Sequence, residues 1–300
     1  MVVRHVLVTV VLAAVLPANA FAAPPPVAAH YFYDGDVASL KTDAYNFGRA
    51  FSARHPGGNR LLLLDFGGAR KLSSDTYGAQ SFHTGTVVFS NAQILSALQS
   101  AADGVHNGYR GIGSTIVAYG NSNSNLTSHG MTADDAWNAG WFQSQRASDL
   151  DSYQSTHGYN RQSAAIGQDQ EPAFDRAPIS RSLADGAAAQ GWALNYDFGS
   201  ADGCWPANGG SGEGCANGWT TSDVVHVSFG AASAVPLPEI YVSAQTSQWT
   251  HVRKAGVSLG YRFWGTTGST GEPYSAADGW NALAAQNPGL VLDELVCFGC

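Results

Sequence analysis

The chain has 300 residues, a formal net charge of −8 with only three lysines (Lys41, Lys71, Lys254), and 13% charged residues. So sparse and acidic a surface repels phosphates and suits an anionic membrane poorly, which argues against nucleic-acid and lipid-surface partners. The length is enough for one large α/β domain.

Residues 1–22 read as a secretory signal peptide. Arg4 and His5 precede an apolar run, Val6 to Leu16, too short to span a bilayer, and Ala18-Asn19-Ala20 and Ala20-Phe21-Ala22 offer small-residue cleavage sites. The expectation is a secreted, extracellular protein with no membrane segment after cleavage, acting as a monomer. Residues 23–57 follow as an N-terminal extension: three prolines, then a helix over Ala38 to Arg54 with Leu40, Ala44, Phe47 and Phe51 at helical spacing, stopped by Pro56-Gly57-Gly58.

Residues 58–300 then show eight short apolar runs, each ending in small or polar residues: Leu61 to Gly67, Thr115 to Asn121, Ala164 to Glu171, Trp192 to Gly199, Val224 to Gly230, Glu239 to Val242, Val257 to Trp264 and Leu290 to Glu294. Helical patterns lie between them, at Asn91 to His106, Thr132 to Tyr153 (Thr132 as N-cap), Ser180 to Gln190, Gln245 to Lys254 and Ser275 to Gln286. Strands alternating with helices about every 30 residues predict a parallel sheet. Eight of them predict a (β/α)8 TIM-like barrel, single domain after the signal peptide; a doubly wound open sheet is the alternative.

The chemistry concentrates in Asp169-Gln170-Glu171. Only five residues are Glu, and Glu171 is the only one in the first two thirds of the chain. Residues i and i+2 of a strand share a face, so both carboxyls aim at one spot, and their repulsion raises the pKa of one. In the fourth run Asn195 and Asp197 oppose bulky Trp192, Leu194, Tyr196 and Phe198; in the first, Asp65 opposes Leu62, Leu64 and Phe66. With the bulky faces turned to the outer helices, Asp65, Asn121, Asp169, Glu171, Asp197 and Asp293 converge on the C-terminal mouth, where barrels place active sites.

An aspartate closing the first strand and a D-x-E closing a middle strand resemble glycoside hydrolases acting on N-acetylhexosamine polymers, the Chalaropsis-type muramidases and family 18 chitinases. Ala165 and Gly167 stand where the fuller chitinase motif has further aspartates. The segments Leu194 to Cys204 and Pro236 to Tyr241 also resemble secreted actinobacterial proteins with glycosidase-like barrels. The resemblance implies an acid role for Glu171, an ionised Asp169 that raises the Glu171 pKa, and Asp197 or Asp65 as charge-stabilising or water-activating partner. It implies a polysaccharide or cell-wall glycan as partner and no cofactor. Tyr119, Trp205 and Trp264 are candidate sugar platforms, and Asn121, Ser228 and His226 candidate polar contacts.

Four cysteines in an exported chain predict disulfides, with three connectivities open. Cys204 with Cys215, across a glycine-rich loop, and Cys297 with Cys300 form the preferred pairing. No H-E-x-x-H or G-x-S-x-G is present. The competing readings are a glycan-binding barrel without catalysis and a metal-dependent hydrolase with Ca²⁺ or Mg²⁺ on the same carboxylates.

Overall fold

The computed structural model describes residues 22–32, 36–82, 86–191, 193–206, 212–256 and 262–300. The expected signal peptide up to Phe21, Trp192, the centre of the Cys204–Cys215 loop and the Val257 to Tyr261 part of the seventh run lie outside these.

Ten strands follow in chain order: β1 (Val27–Tyr31), β2 (Asn59–Ser73), β3 (Thr76–Gln80), β4 (Val88–Ser90), β5 (Ser114–Ser122), β6 (Gln162–Asp169), β7 (Asn195–Asp197), β8 (Ala234–Pro236), β9 (Phe263–Ser269) and β10 (Val291–Phe298). Eight are parallel neighbours in the order β8-β7-β6-β5-β2-β1-β10-β9. Just beyond β8 the Ile240 N–H donates to the Thr267 carbonyl (3.1 Å), and the Thr267 N–H donates to the Pro238 carbonyl (2.8 Å), nearly closing the ring. The helices among the described residues are α1 (Leu40–Arg54), α2 (Asn91–Gly108), α3 (Ala133–Thr156), α4 (Ala177–Ala188), α5 (Thr221–Val225), α6 (Ser243–Ala255) and α7 (Ala276–Gln286). The molecule is a TIM-like α/β barrel of one domain, and among the described residues no helix is long and apolar enough to cross a membrane.

Local chemistry explains the clearest elements. The Thr132 side chain accepts from the Asp135 N–H (3.1 Å) while Asp135 accepts from the Thr132 N–H (3.0 Å), a reciprocal cap that starts α3. Leu61 to Leu64 are at most 1% exposed, so β2 is buried on both faces, as a parallel barrel strand must be. Beyond the barrel, β2 continues into an antiparallel hairpin with β3, which pairs β4.

Three expectations about strands are corrected. The run Glu239 to Val242 is not a strand: β8 precedes it, and Glu239 forms an isolated parallel bridge with Thr267. The segment assigned to an N-terminal extension supplies β1, which lies between β2 and β10. Conversely, Val224 to Gly230 is helical. Thr220 and Asp223 form another reciprocal cap that starts α5, and a wide helical turn, His226–Gly230, continues it. Both disulfides, Cys204–Cys215 and Cys297–Cys300, are formed.

Candidate active site

Strand register fixes which side chains face inward. Tyr31 pairs with Asp65, Asp65 with Gly120, Gly120 with Gly167, and Gly167 with Tyr196; two residues further along, and so on the same face, Ser122 pairs with Asp169. Paired residues on neighbouring strands lean to the same face, so Tyr31, Asp65, Asp169 and Tyr196 share the barrel interior. Gln168, one residue out of phase, points the other way: its amide donates to Gln143 Oε1 on α3 (3.0 Å).

Asp65 closes the barrel part of β2. Its Oδ1 accepts the Gly67 N–H (2.8 Å) where a bulge turns the strand, with Gly67 at φ +98°, a conformation suited to glycine. Its Oδ2 is buried without a hydrogen-bond partner. Burial raises the carboxyl to about 7.

Asp169 and Glu171 stand at the end of β6, 4% and 6% exposed. Asn123, just after β5, grips the Glu171 backbone: Oδ1 accepts its N–H and Nδ2 donates to its carbonyl, both at 3.0 Å. Asn123→Ala leaves these groups with no side-chain partner, and should cost about 1–3 kcal/mol in chemical denaturation. A midpoint equal to that of the parent would show that the clamp is dispensable.

The Glu171 carboxyl is raised to about 8 by burial first and by the nearby Asp202 charge second, while its hydrogen bonds with Asp169 and Ser200 act in the opposite direction. Asp169 is also pushed well up, by burial and then by the charges of Glu171, Glu239 and Asp65. The expected division, with Asp169 ionised and lifting Glu171, is therefore corrected. Burial does most of the lifting of Glu171, the hydrogen bond with Asp169 lowers it, and Asp169 is itself raised.

A third carboxyl completes the cluster. Glu239, three residues past β8, is likewise raised by burial and by the Glu171 charge, and it hydrogen-bonds with Tyr241 and Gln245. One oxygen from each of Asp169, Glu171 and Glu239 lies within 4.8 Å of the others. Tyr31 and Tyr241 border the group, their phenols held protonated by burial and by these acids.

Asp197 does not join the cluster. It pairs in register with outward-facing Gln168 and accepts hydrogen bonds from Ser228 Oγ and the Gln170 N–H. The reason lies in the neighbouring strand. A Cβ on Gly167 would lie 2.7 Å from Leu63 Cδ1 and 3.0 Å from Phe198 Cε1, so the inner face of β6 is small and the Phe198 ring of the next strand fills the space. Bulky residues of β7 thus point inward, the reverse of the expected phase.

The expected substrate contacts disperse as well. Tyr119 is buried on the outer face of β5 and donates to Asn91 Oδ1 (2.9 Å). Asn121 pairs with Gln168 and shares that outer face. Ser228 is committed to Asp197, and His226 Nε2 lies 2.6 Å from Asp185 Oδ1 in the helical layer. Trp264 meets Tyr196 edge-on at 6.0 Å, and Trp205, 38% exposed, packs near His251 at 4.9 Å. Asp293 is exposed. Glu239, Tyr31 and Tyr241 escaped sequence reasoning. The signal for Glu239 was its place just past a strand, hidden because Glu239 was read as opening the sixth run and not as following β8.

Chemically the cluster has two ways to relieve its repulsion. It can hold protons, as buried carboxyls do near neutrality, or it can bind a hard cation through oxygens. The unpartnered Asp169 Oδ1 and Asp65 Oδ2 are available to either.

No protein-family model matches the chain, and no curated protein matches it. Among solved structures, it is similar to a mandelate racemase/muconate lactonizing enzyme from Sulfitobacter sp, with 8% identity and a TM-score of 0.34. The match covers 92% of this chain and 54% of that one, so the chain spans about half the length of that enzyme.

Proposed function

We propose that this protein is a secreted glycoside hydrolase that cleaves a cell-wall or aminosugar polysaccharide, with Glu171 as proton donor. The observation that carries the reading is the buried Glu171 carboxyl, raised to about 8, within 4.8 Å of Asp169 and Glu239 at the C-terminal end of the barrel. A group of that pKa keeps its proton at neutral pH and can deliver it to a glycosidic oxygen. In the reacting form Asp169 or Glu239 is already ionised, and its charge stabilises the positive charge that develops at the anomeric carbon as the glycosidic bond breaks. Water then adds to that carbon and gives its proton to a carboxylate of the cluster. Turnover of peptidoglycan, chitin and neutral glucans, with Glu171→Gln as control, tests the reading. Binding without cleavage by the wild type would favour a non-catalytic glycan-binding barrel.

A second reading has its own support. Three buried carboxylates with oxygens within 4.8 Å, beside two unpartnered acid oxygens, also suit Mg²⁺ or Ca²⁺. In that case Glu171 serves as a ligand and the reaction is a metal-dependent hydrolysis.

A further inference from the structure

A chain of aromatic rings that acid–base chemistry does not use leads away from Tyr31, which borders the carboxyl cluster. Tyr31 stacks on Phe298 with centroids 3.9 Å apart, Phe82 meets Tyr31 edge-on at 6.0 Å, and Phe174 lies 6.4 Å from Phe82. Phe66, Phe89, Phe198, Phe263 and Phe298 are fully buried, whereas Phe82 and Phe174 are only half-buried.

Phe174 belongs to the same turn as Glu171, its N–H donating to the Glu171 carbonyl (3.1 Å). Besides Asn123, several groups hold this turn. Asn217 Nδ2 donates to the Pro172 and Ala173 carbonyls (both 2.9 Å), and Trp219 Nε1 donates to the Asp175 carbonyl (2.7 Å). The Asp175 carboxylate accepts from the Thr127 N–H (2.7 Å) and hydroxyl (2.6 Å). The Phe174 backbone therefore has a fixed relation to the Glu171 backbone, so the turn has little freedom to lose when something packs on it. Phe82 arrives from the other direction, two residues after β3 on the hairpin that continues β2 past the barrel.

We propose that Phe174 and Phe82 form a sugar-binding platform that receives the apolar C–H face of a pyranose ring beside the bond that Glu171 cleaves. The site rests on the glycosidase reading, and it names the part of the substrate that gives affinity. An aromatic face is electron-rich and apolar, and C–H groups on one side of a pyranose ring match it in both respects. The platform reads the ring and not its acetamido group, so it accepts aminosugar and neutral units alike.

Phe174→Ala and Phe174→Trp test this, with calorimetric titration of soluble N-acetylglucosamine and glucose oligomers and with KM and kcat on whichever polymer the wild type cleaves. Phe174→Ala, checked for a parental melting curve, should weaken binding and raise KM about tenfold. Its kcat should stay within about twofold, and Phe174→Trp should restore affinity. An unchanged affinity and KM in folded Phe174→Ala, a loss confined to kcat, or absence of oligomer binding by the wild type would each overturn the platform. Loss of affinity in Phe174→Ala alongside full activity in Glu171→Gln would instead remove the acid role and leave the platform standing.

Discussion

Glu171→Gln should lower turnover about 10²–10⁴-fold, the usual contribution of a general acid, while substrate still binds. The amide has the shape of the carboxylic acid and can donate a hydrogen bond, but it cannot transfer a proton. Because burial and the Asp202 charge raise Glu171 to about 8, the wild-type rate should fall as pH rises through that value. The residual rate of Glu171→Gln should lack this basic limb. Unchanged turnover in the variant, on a substrate the parent cleaves, removes Glu171 from the reaction.

Thermal stability should fall as pH rises from about 5 to about 8. Burial raises Asp65, Asp197 and Glu294 to about 7 and Glu171 to about 8. Their unfolded values lie near 4, so the folded chain binds more protons than the unfolded chain throughout this interval. Their contribution to stability is complete below the unfolded values and disappears as pH rises through the folded ones. At about 1.4 kcal/mol per unit, the buried pair Asp65 and Asp197 alone accounts for a loss on the order of several kcal/mol. The melting temperature should drop by about 10 °C between pH 5 and pH 8. His30 works against this trend only at the acid end, since burial lowers its pKa. The hydrogen-bonded Asp135 and Asp223, whose pKa values are lowered, lose their contribution only below about pH 4. Asp197→Asn, outside the carboxyl cluster, should flatten the curve. A melting temperature higher at pH 8 than at pH 5 would contradict the burial of these acids.

Much of the barrel was legible because its signals are local. Leu61 to Leu64 can only be a strand buried on both faces, and Thr132 with Asp135 announces a helix start. Asp65, Asp169 and Glu171 were readable as one group because each closes a run whose end is the barrel mouth. What escaped depends on packing between strands. Five residues after three prolines carry too little periodicity to reveal β1, and its Tyr31 is placed only by its pairing with β2. In Val224 to Gly230, a dense apolar stretch outweighed the helix-capping pair Thr220 and Asp223. The phase of β7 was not in its own sequence. Tyr196 and Phe198 alternate with Asn195 and Asp197 under either assignment, and Gly167 on the adjacent strand decides which set turns inward. The correct phase removes Asp197 from the site, and the third carboxyl comes instead from Glu239.

The most direct test is reducing-end release from purified peptidoglycan and chitin by the wild-type protein in the presence of a chelator. Proton-transfer chemistry by the Asp169, Glu171 and Glu239 cluster predicts cleavage that the chelator leaves intact. Cleavage abolished by the chelator and restored by Mg²⁺ or Ca²⁺, or no cleavage of either polymer, would contradict it.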